Sequence, residues 1–433
     1  MNEVIIGTAM LFLLLILFAT GIELGFAMAI VGFIGFSYLS GVSVALNLLA
    51  RDTFDVITNY GYTVFPLFIF MGQLGFKAGI AKRLYDCSHK FIGHIPGGLA
   101  MATVLGGSAF KAICGSATAT TATFASVAMP EMDRYGYDKR LSTGVIATVG
   151  TLGCLIPPSV VLILYGVITE QSIGKLFLAG IVPAIIIATF FIGIIYGWVK
   201  MNPALAPVSD RSTWKERFQS LPPTIWVFMI FILMIGGIME GFFTPSEAGA
   251  VGAFAVLILA AATRELTYKN LRTSLSEAIR VAGMFLMLLV GSSILGHFIA
   301  ITNMPQNIAE WLVSLPINRY FILIGICIVF EIGGSFIEDL AFMVLALPIF
   351  YPTIVRLGFD PIWFAVILCV IVMVGMIIPP VAICVFVVKN ITQVPMGQIY
   401  RGCAPFLIAL MVSWVILLLF PQLSLWLPSL FFK

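Results

Sequence analysis

Long apolar segments recur along this sequence and constrain its fold more than any other feature. Stretches long enough to cross a bilayer, which takes roughly 20 apolar residues, follow one another from Ile5 to Leu427 with short polar breaks. Because 61% of the residues are hydrophobic and only 10% are charged, the chain lacks the polar surface of a globular protein in water. The pattern predicts an all-α polytopic membrane protein with about ten full crossings and two shorter, broken pairs.

The first apolar segment and the cysteines argue against a cleaved signal peptide and against redox or metal chemistry. Ile5–Thr20 follows Glu3 rather than a basic region, and no cleavage pattern follows it, so we expect a retained transmembrane helix. The seven cysteines are scattered and form no Cys-x-x-Cys pair, which favours packing over redox or metal roles. The net charge of +3 is too small to indicate a nucleic-acid partner.

An internal repeat at an offset of 222 residues organises the chain. The segment Pro130-x-x-x-Arg134-x-Gly136-Tyr137-Asp138 recurs as Pro352-x-x-x-Arg356-x-Gly358-Phe359-Asp360, and the register continues through the Pro-Pro pairs at 157–158 and 379–380. Such a repeat indicates two halves built on one plan. We expect each half to contain a helix, a surface arm, a broken helix pair, a crossing interrupted by Pro-Pro and a final crossing.

The repeat divides the chain into four parts. They are N-terminal scaffold helices at 1–60, repeat one at 61–200, a central loop with connecting helices at 201–275, and repeat two at 276–433. Within the repeats, Leu99–Met129 and Phe321–Tyr351 are too short for two crossings each and carry small or polar residues at their centres. We therefore expect two re-entrant hairpins, hairpin one and hairpin two.

Basic residues predict the orientation in the membrane. The flanks of hairpin one carry many of them, whereas those of hairpin two carry only Arg319 and Arg356. The basic residues beside hairpin one are Lys77, Lys82, Arg83, Lys90, Arg134, Lys139 and Arg140. About five crossings between the hairpins place them on opposite faces, so we expect inverted repeats, both termini in the periplasm and a binding site near the midplane where interrupted helices meet.

Broken helices at membrane depth supply candidate ligands, because unpaired carbonyls and amides need partners there. Unwound carbonyls and hydroxyls suit a co-transported sodium ion, and exposed helix N-termini suit a carboxylate. The candidate sodium ligands are Gly115, Ser116, Gly150, Thr151, Gly153 and Pro157 in repeat one, and Gly333, Gly334, Ser335, Gly375 and Pro379 in repeat two. The candidate substrate ligands are Lys111, Ser116, Thr118, Ser159, Ser335, Glu338 and Asp339.

Two alternatives remain for these residues. Small residues also allow close helix packing, although packing does not explain the paired Pro-Pro interruptions. Charges inside a membrane are functional hypotheses by default. Lys111 is expected to face a substrate carboxylate, to form a structural ion pair or to be solvated at a tip. Glu338 and Asp339 are expected either to bind sodium or to carry protons.

Several function classes find no support in the sequence. His89, His94 and His297 are separated and lack zinc-ligand spacing. No nucleophile with a base and no phosphate-binding loop is recognisable, so the chain is predicted not to be an enzyme, to need no organic cofactor and to hydrolyse no ATP. An ion gradient is the simpler energy source.

The segments 107–132, 134–138, 150–159, 358–360 and 378–380 resemble the large membrane subunit of tripartite ATP-independent periplasmic (TRAP) transporters, and the likeness extends along essentially the whole chain. The resemblance implies an elevator mechanism in the bacterial inner membrane, in which two hairpins and two broken helices move against a scaffold. It implies as cargo sodium ions and an organic acid, such as a C4-dicarboxylate or a sialic acid. It implies as partners a small four-helix membrane subunit and a periplasmic substrate-binding protein.

Lys111 and the pair Glu338-Asp339 depart from the small, apolar or singly acidic residues that the resemblance implies for the hairpins. Two further hypotheses stay open beside the tripartite transporter. One is a sodium:carboxylate symporter that works without a binding protein. The other is a membrane scaffold protein without transport, in which the hairpins are only structural.

Overall fold

The computed structural model describes residues 3–209 and 211–432, which form twenty α-helices and three 3-10 turns, with no β-strand in these ranges. This result confirms the predicted all-α fold. The helices are α1 (Glu3–Ala19), α2 (Leu24–Ser40), α3 (Val42–Thr58), α4 (Val64–Lys77), α5 (Ile80–Ile92), α6 (Gly98–Lys111), α7 (Ala117–Arg134), α8 (Lys139–Thr151), α9 (Val160–Thr169), α10 (Ile173–Met201), α11 (Trp214–Met239), α12 (Pro245–Ala262), α13 (Tyr268–Ile301), α14 (Met304–Ser314), α15 (Arg319–Phe336), α16 (Asp339–Arg356), α17 (Pro361–Gly375), α18 (Ile383–Thr392), α19 (Met396–Leu419) and α20 (Gln422–Phe431). The 3-10 turns are Tyr60–Thr63, Leu152–Cys154 and Pro203–Leu205.

Seven of the described helices are long and apolar enough to cross a membrane, or eight if the bent pair α4–α5 is counted as one span. The seven are α10, α11, α12, α13, α15, α16 and α19. Two of the seven, α15 and α16, form the second predicted broken pair, which leaves five helices, or six with the bent pair, against about ten predicted full crossings. The reason is that apolar segments such as α1, α2 and α17 form helices of 17 residues or fewer. Such helices are shorter than a full crossing requires.

Each predicted broken pair is a helix–turn–helix unit in the structure. Residues 112–116, here called the first tip, join α6 to α7, and residues 337–338, the second tip, join α15 to α16. The estimated length of the second pair was wrong, because its helices extend from Arg319 to Arg356 and each has 18 residues, enough for a crossing. Re-entrance of the two hairpins stays a prediction.

The repeated Gly-aromatic-Asp motif joins one helix to the next in both halves. Gly136 and Gly358 adopt φ angles of 72° and 74°, a left-handed conformation that suits glycine at the end of a helix. Tyr137 N then donates to a carbonyl five residues earlier at 2.9 Å. Asp138 and Asp360 cap the following helices with their carboxylates, at 2.7 and 2.8 Å from backbone N–H groups. The motif is therefore structural.

The helices pack into two groups. In the first, here called the scaffold group, α13 packs along α2 and α4, and α12 packs against α4. In the second, the hairpin group, α8 packs against α7, α18 and α19, α16 packs against α9 and α15, and α17 packs against α15 and α19. Close approach within the scaffold group depends on glycine, since a methyl group added to Gly32 of α2 would lie 2.7 Å from Leu295 N of α13. The arms α5 and α14 contact both groups.

Candidate functional site

The first tip is held in place by hydrogen bonds from its own flanking helices. Ser116 Oγ caps α7 by accepting from Ala119 N at 3.2 Å, and it lies 3.1 Å from Thr118 Oγ1. The Lys111 ammonium group, at the end of α6, donates to Ser116 O at 2.7 Å. Because a serine caps the second helix and a lysine closes the turn, the tip has a defined conformation at the N-terminus of α7.

The first break, residues 152–159, interrupts the crossing that α8 begins. It contains the Pro-Pro pair, which has no N–H groups to continue a helix. Ser159 Oγ donates to Cys154 O at 2.7 Å and accepts from Leu162 N at 3.3 Å. Ser159 is fully buried, so its hydroxyl group satisfies a carbonyl and an amide that the break leaves without helical partners.

Glycines bring the first tip and the first break together. A methyl group added to Gly115 would lie 2.7 Å from Pro158 O, and one added to Gly153 would lie 2.7 Å from Lys111 Cε. A methyl group at Gly150 would overlap the Thr121 side chain of α7. Close packing at these positions therefore uses the absence of a side chain, and their role as sodium ligands stays a prediction.

The second break, residues 376–382, uses backbone groups where the first uses a side chain. Val381 stands in the place of Ser159. Cys384 N donates to Met376 O at 3.1 Å, and Val381 N donates to Ser335 O of hairpin two at 3.2 Å. The two breaks meet, because the sulfur atoms of Met376 and its repeat-one counterpart Cys154 are 3.8 Å apart.

Asp339 places a carboxylate between hairpin two and the end of α17. It begins α16 and is only 8% exposed. Methyl groups added to Gly334 and Gly375 would lie 2.7 and 2.6 Å from its Oδ1 atom, and the one at Gly375 would lie 3.9 Å from Glu331 Oε1. The Glu331 Oε2 atom is buried without a hydrogen-bond partner in the described ranges. Two carboxylates therefore share a buried region of repeat two.

A cavity of about 450 Å³ lies where both tips and both breaks meet. Its hairpin-group wall is formed by Gly115, Ser116, Ala117, Thr118, Ala119, Ala122, Gly153, Cys154, Val160, Val161, Glu338, Asp339, Leu340, Met376, Ile383 and Val387. Helices α4 and α13 form the opposite wall with Ile69, Gln73, Val281, Met284 and Phe285. The cavity thus lies between the hairpin group and the scaffold group.

The predicted site residues form two sets, those that line the cavity and those that do not. Six line it, namely Gly115, Ser116, Thr118, Gly153, Glu338 and Asp339. Ten do not line it in the described structure, namely Lys111, Gly150, Thr151, Pro157, Ser159, Gly333, Gly334, Ser335, Gly375 and Pro379. Gly333 and Gly334 lie in the last turn of α15 rather than in an unwound segment, because the helix continues to Phe336. The ligand roles of both sets stay predictions.

Sequence reasoning missed the scaffold side of the cavity. Gln73 could have been identified from the sequence, because it is a lone amide in the apolar run of α4, Val64–Lys77. Burying a polar group in a membrane costs free energy, so such a residue is a functional candidate. The α13 residues carry no such signal, because apolar side chains are ordinary in a membrane helix. Only the tertiary structure brings α4 and α13 to the tips.

The charged side chains in the cavity are acidic. Glu338 and Asp339 line it, and no lysine or arginine of the described ranges does. The other polar groups are the hydroxyls of Ser116 and Thr118 and the amide of Gln73. The N-terminus of α7 also faces the cavity, with the partial positive charge of a helix start. An anion in this cavity would meet two carboxylates unless a cation accompanied it.

Comparisons with known proteins give a consistent result. Residues 11–423 match the family described as tripartite ATP-independent periplasmic transporter, DctM component. The chain is 35% identical over 392 residues to the C4-dicarboxylate TRAP transporter large permease protein DctM of Pseudomonas aeruginosa, which covers 89% of this chain and 90% of that protein. It is 30% identical over 423 residues to the sialic acid TRAP transporter large permease protein SiaM of Vibrio cholerae, with 96% of each covered.

A solved structure resembles this fold. The YdaH transporter of Alcanivorax borkumensis superimposes with a TM-score of 0.63 over 90% of each chain, at 13% sequence identity. At that identity the likeness concerns the fold alone. It supports the all-α membrane architecture described above.

Proposed function

Because the chain belongs to the DctM family of tripartite ATP-independent periplasmic transporter components, we propose that it is the translocating subunit of an importer that couples the uptake of an organic acid to sodium ions. Membership in this family confirms the sequence-based predictions that the chain is a TRAP-type transport protein and not an enzyme. It is accordingly a multi-pass protein of a bacterial inner membrane.

The cavity between the tips carries the proposal. Its walls come from the two tips, the two breaks and two scaffold helices, which is the arrangement in which interrupted helices bind substrate and ions together. Its volume of about 450 Å³ lies in the range of small-molecule sites, about 300–1,000 Å³. Substrate is proposed to bind there against the N-terminus of α7, with Ser116 and Thr118 as hydrogen-bonding groups.

Sodium coupling is supported by the charge of the cavity. A carboxylate substrate beside Glu338 and Asp339 would be repelled by each of them in its ionised form, by about 4 kcal/mol for each unit charge at 4 Å in an environment of intermediate polarity. A bound cation offsets this repulsion, so substrate and sodium bind better together than apart. That mutual dependence is the thermodynamic basis of co-transport.

The elevator mechanism is supported by the position of the cavity between two helix groups. The hairpin group contributes the tips and breaks, whereas α4 and α13 contribute the opposite wall. We propose that the hairpin group moves against the scaffold group and carries the cavity from one side of the membrane to the other. The arms α5 and α14, which contact both groups, would bend during this movement.

Partners and substrate follow from the family and the relatives. A tripartite transporter has two further components, which we propose to be a small four-helix membrane subunit and a periplasmic binding protein. The relatives named above handle C4-dicarboxylates and sialic acid, so a carboxylate of this size class is proposed as substrate. Both termini are proposed to lie in the periplasm, in agreement with the basic loops of the sequence.

Uptake into proteoliposomes tests the proposal. The chain is reconstituted alone, with the small subunit, and with both partners, and uptake of radiolabelled C4-dicarboxylates and sialic acid is measured under an inward sodium gradient or with choline replacing sodium. We expect uptake only with all three components and only with sodium.

The other outcomes identify the alternatives. Uptake by the chain alone would refute the tripartite assignment in favour of a lone symporter, and uptake that ignores sodium would refute the coupling. The Gly115→Leu variant tests the non-transporting scaffold. Its side chain would collide with Pro158 O, so uptake should be lost, whereas a scaffold role predicts no change.

A further inference from the structure

Lys111 is a fully buried lysine without an acidic partner in the described structure. Its side chain is 0% exposed, and it forms no ion pair within the described ranges. None of the expected roles is therefore observed directly, because in the described ranges the buried Lys111 neither lines the cavity nor pairs with an acid.

The Lys111 amino group lies among the residues that the sequence predicts as sodium ligands of repeat one. Its Nζ atom is 2.7 Å from Ser116 O, and its chain packs against Gly153, so closely that Gly153 has no room for a methyl group. Ser116 O also accepts from Thr120 Oγ1 at 3.0 Å and from Thr120 N at 3.2 Å. Ser116 and Gly153 belong to the predicted sodium ligands of repeat one, and the Ser116 carbonyl is already occupied by donors.

Repeat two has an acidic side chain at the corresponding place. Gly375 is the counterpart of Gly153 at the offset of the repeat, and the group packed against it is the carboxylate of Asp339 rather than an ammonium. Asp339 is more than nine-tenths buried, lines the cavity and has no charged partner within ion-pair distance in the described structure. Repeat one thus places a lysine side chain beside Gly153, and repeat two places an acidic side chain beside the equivalent Gly375.

We propose that Lys111 is a tethered cation that fills the repeat-one ion site, so that this chain binds its coupling sodium in repeat two alone. The ammonium group carries the same unit charge as sodium and donates to the same kind of carbonyl oxygen that coordinates sodium in broken helices. Lys111 is then a positioning residue, which holds the first tip against the first break without an ion. This inference rests on the proposed sodium coupling.

The substitution of an ion by a lysine changes the energetics of transport. A sodium ion enters and leaves with each cycle, whereas the ammonium group returns with the protein and transfers no net charge. Each co-transported sodium ion adds the free energy of moving one positive charge across the membrane potential. A chain with Lys111 therefore accumulates substrate less strongly than one with an additional sodium site, but it needs fewer ions for each turnover.

Equilibrium binding of radioactive sodium to the purified transporter complex tests the inference. Lys111→Ala removes the ammonium group and leaves Ser116 O and the space beside Gly153, so we expect one more bound sodium per chain than in the wild type. Lys111→Arg keeps a charge there and should add none. Lys389→Ala is the matched control, because Lys389 is an exposed lysine on α18, and it should also add none.

Asp339→Asn on the wild-type background is the second arm, and it does not depend on the folding of a Lys111 variant. If repeat two holds the only sodium site, this variant should bind no sodium. Residual sodium binding in Asp339→Asn would overturn the inference, as would an unchanged sodium count in a folded Lys111→Ala variant.

The binding assay also separates this inference from the proposed function. If the wild type binds no sodium and uptake ignores sodium, the proposed coupling fails. In that case a sodium ion gained by Lys111→Ala would still support the tethered cation, and the absence of a gain would refute it.

Discussion

Replacing Gly153 with alanine should displace Lys111 from the first tip. The added methyl group would lie 2.7 Å from Lys111 Cε and 2.8 Å from its Cδ, whereas nonbonded carbon atoms pack at about 3.5–4.0 Å. The lysine side chain must therefore move by roughly 1 Å. That movement stretches or breaks the 2.7 Å hydrogen bond from its Nζ atom to Ser116 O.

The magnitude follows from two costs and one gain. Overpacking a well-packed interior costs about 1–3 kcal/mol, and loss of a hydrogen bond to a charged group costs about 1.5–3 kcal/mol. Alanine recovers at most about 1 kcal/mol relative to glycine. We expect the free energy of unfolding to fall by about 2–5 kcal/mol.

Thermal unfolding of the purified chain in detergent measures this loss. Gly197→Ala is the matched control, because nothing lies within 4 Å of a methyl group at Gly197, and it should not lower the unfolding midpoint. In the double variant Gly153→Ala/Lys111→Ala the colliding atoms are absent. Its loss of unfolding free energy should therefore be smaller than the sum of the losses in the two single variants, by about 1–3 kcal/mol. A Gly153→Ala variant as stable as Gly197→Ala, or strictly additive costs, would refute the proposed contact.

Three further predictions concern other parts of the structure. Ser159→Ala leaves a buried carbonyl without its 2.7 Å hydrogen bond and should reduce unfolding free energy by about 1–3 kcal/mol, whereas Ser126→Ala at an exposed position of α7 should change the unfolding midpoint little. The hydrogen bond from Arg140 lowers the pKa of Asp138, so the stabilisation is complete at neutral pH and is lost as pH falls through that lowered value. Asp138→Asn should therefore be less stable than wild type at pH 7, with a difference in unfolding midpoint that disappears in acid; a constant difference would contradict the argument. Gln73→Leu removes the amide from the cavity wall and should raise the KM for uptake about 3–10-fold without lowering stability, and an unchanged KM would exclude Gln73 from substrate contact.

The positions of the breaks were predictable because glycine and proline act locally. Proline has no N–H group to donate and glycine tolerates left-handed backbone, so the Pro-Pro pairs and the Gly-aromatic-Asp motifs mark helix ends in any surroundings. Helix lengths were less predictable. Hairpin two was predicted to cover Phe321–Tyr351, but its helices extend to Arg319 and Arg356. Polar residues beyond an apolar run can still be helical, so the end of the apolar run does not mark the end of the helix.

The roles of side chains were likewise predictable in part. The tip residues Gly115 and Ser116 were identifiable as small and polar residues in an apolar run, and they line the cavity. The position of Lys111 was not, since its sequence context allows substrate contact, an ion pair or a carbonyl partner equally. Its contact with Ser116 O depends on a turn of five residues and on the space beside Gly153, which lies about forty residues further along the chain.

By itself the sequence determined that this protein is an α-helical membrane protein, that it has two related halves, and where its helices are interrupted. These properties depend on the solvent that apolar side chains require and on the backbone chemistry of glycine and proline, both of which act over a few residues. Only the tertiary structure decided which interruptions meet, that α4 and α13 complete the cavity, and that a lysine and a carboxylate occupy corresponding places in the two halves. Those features depend on packing between residues far apart in the chain, where the available space selects the partner of each charge.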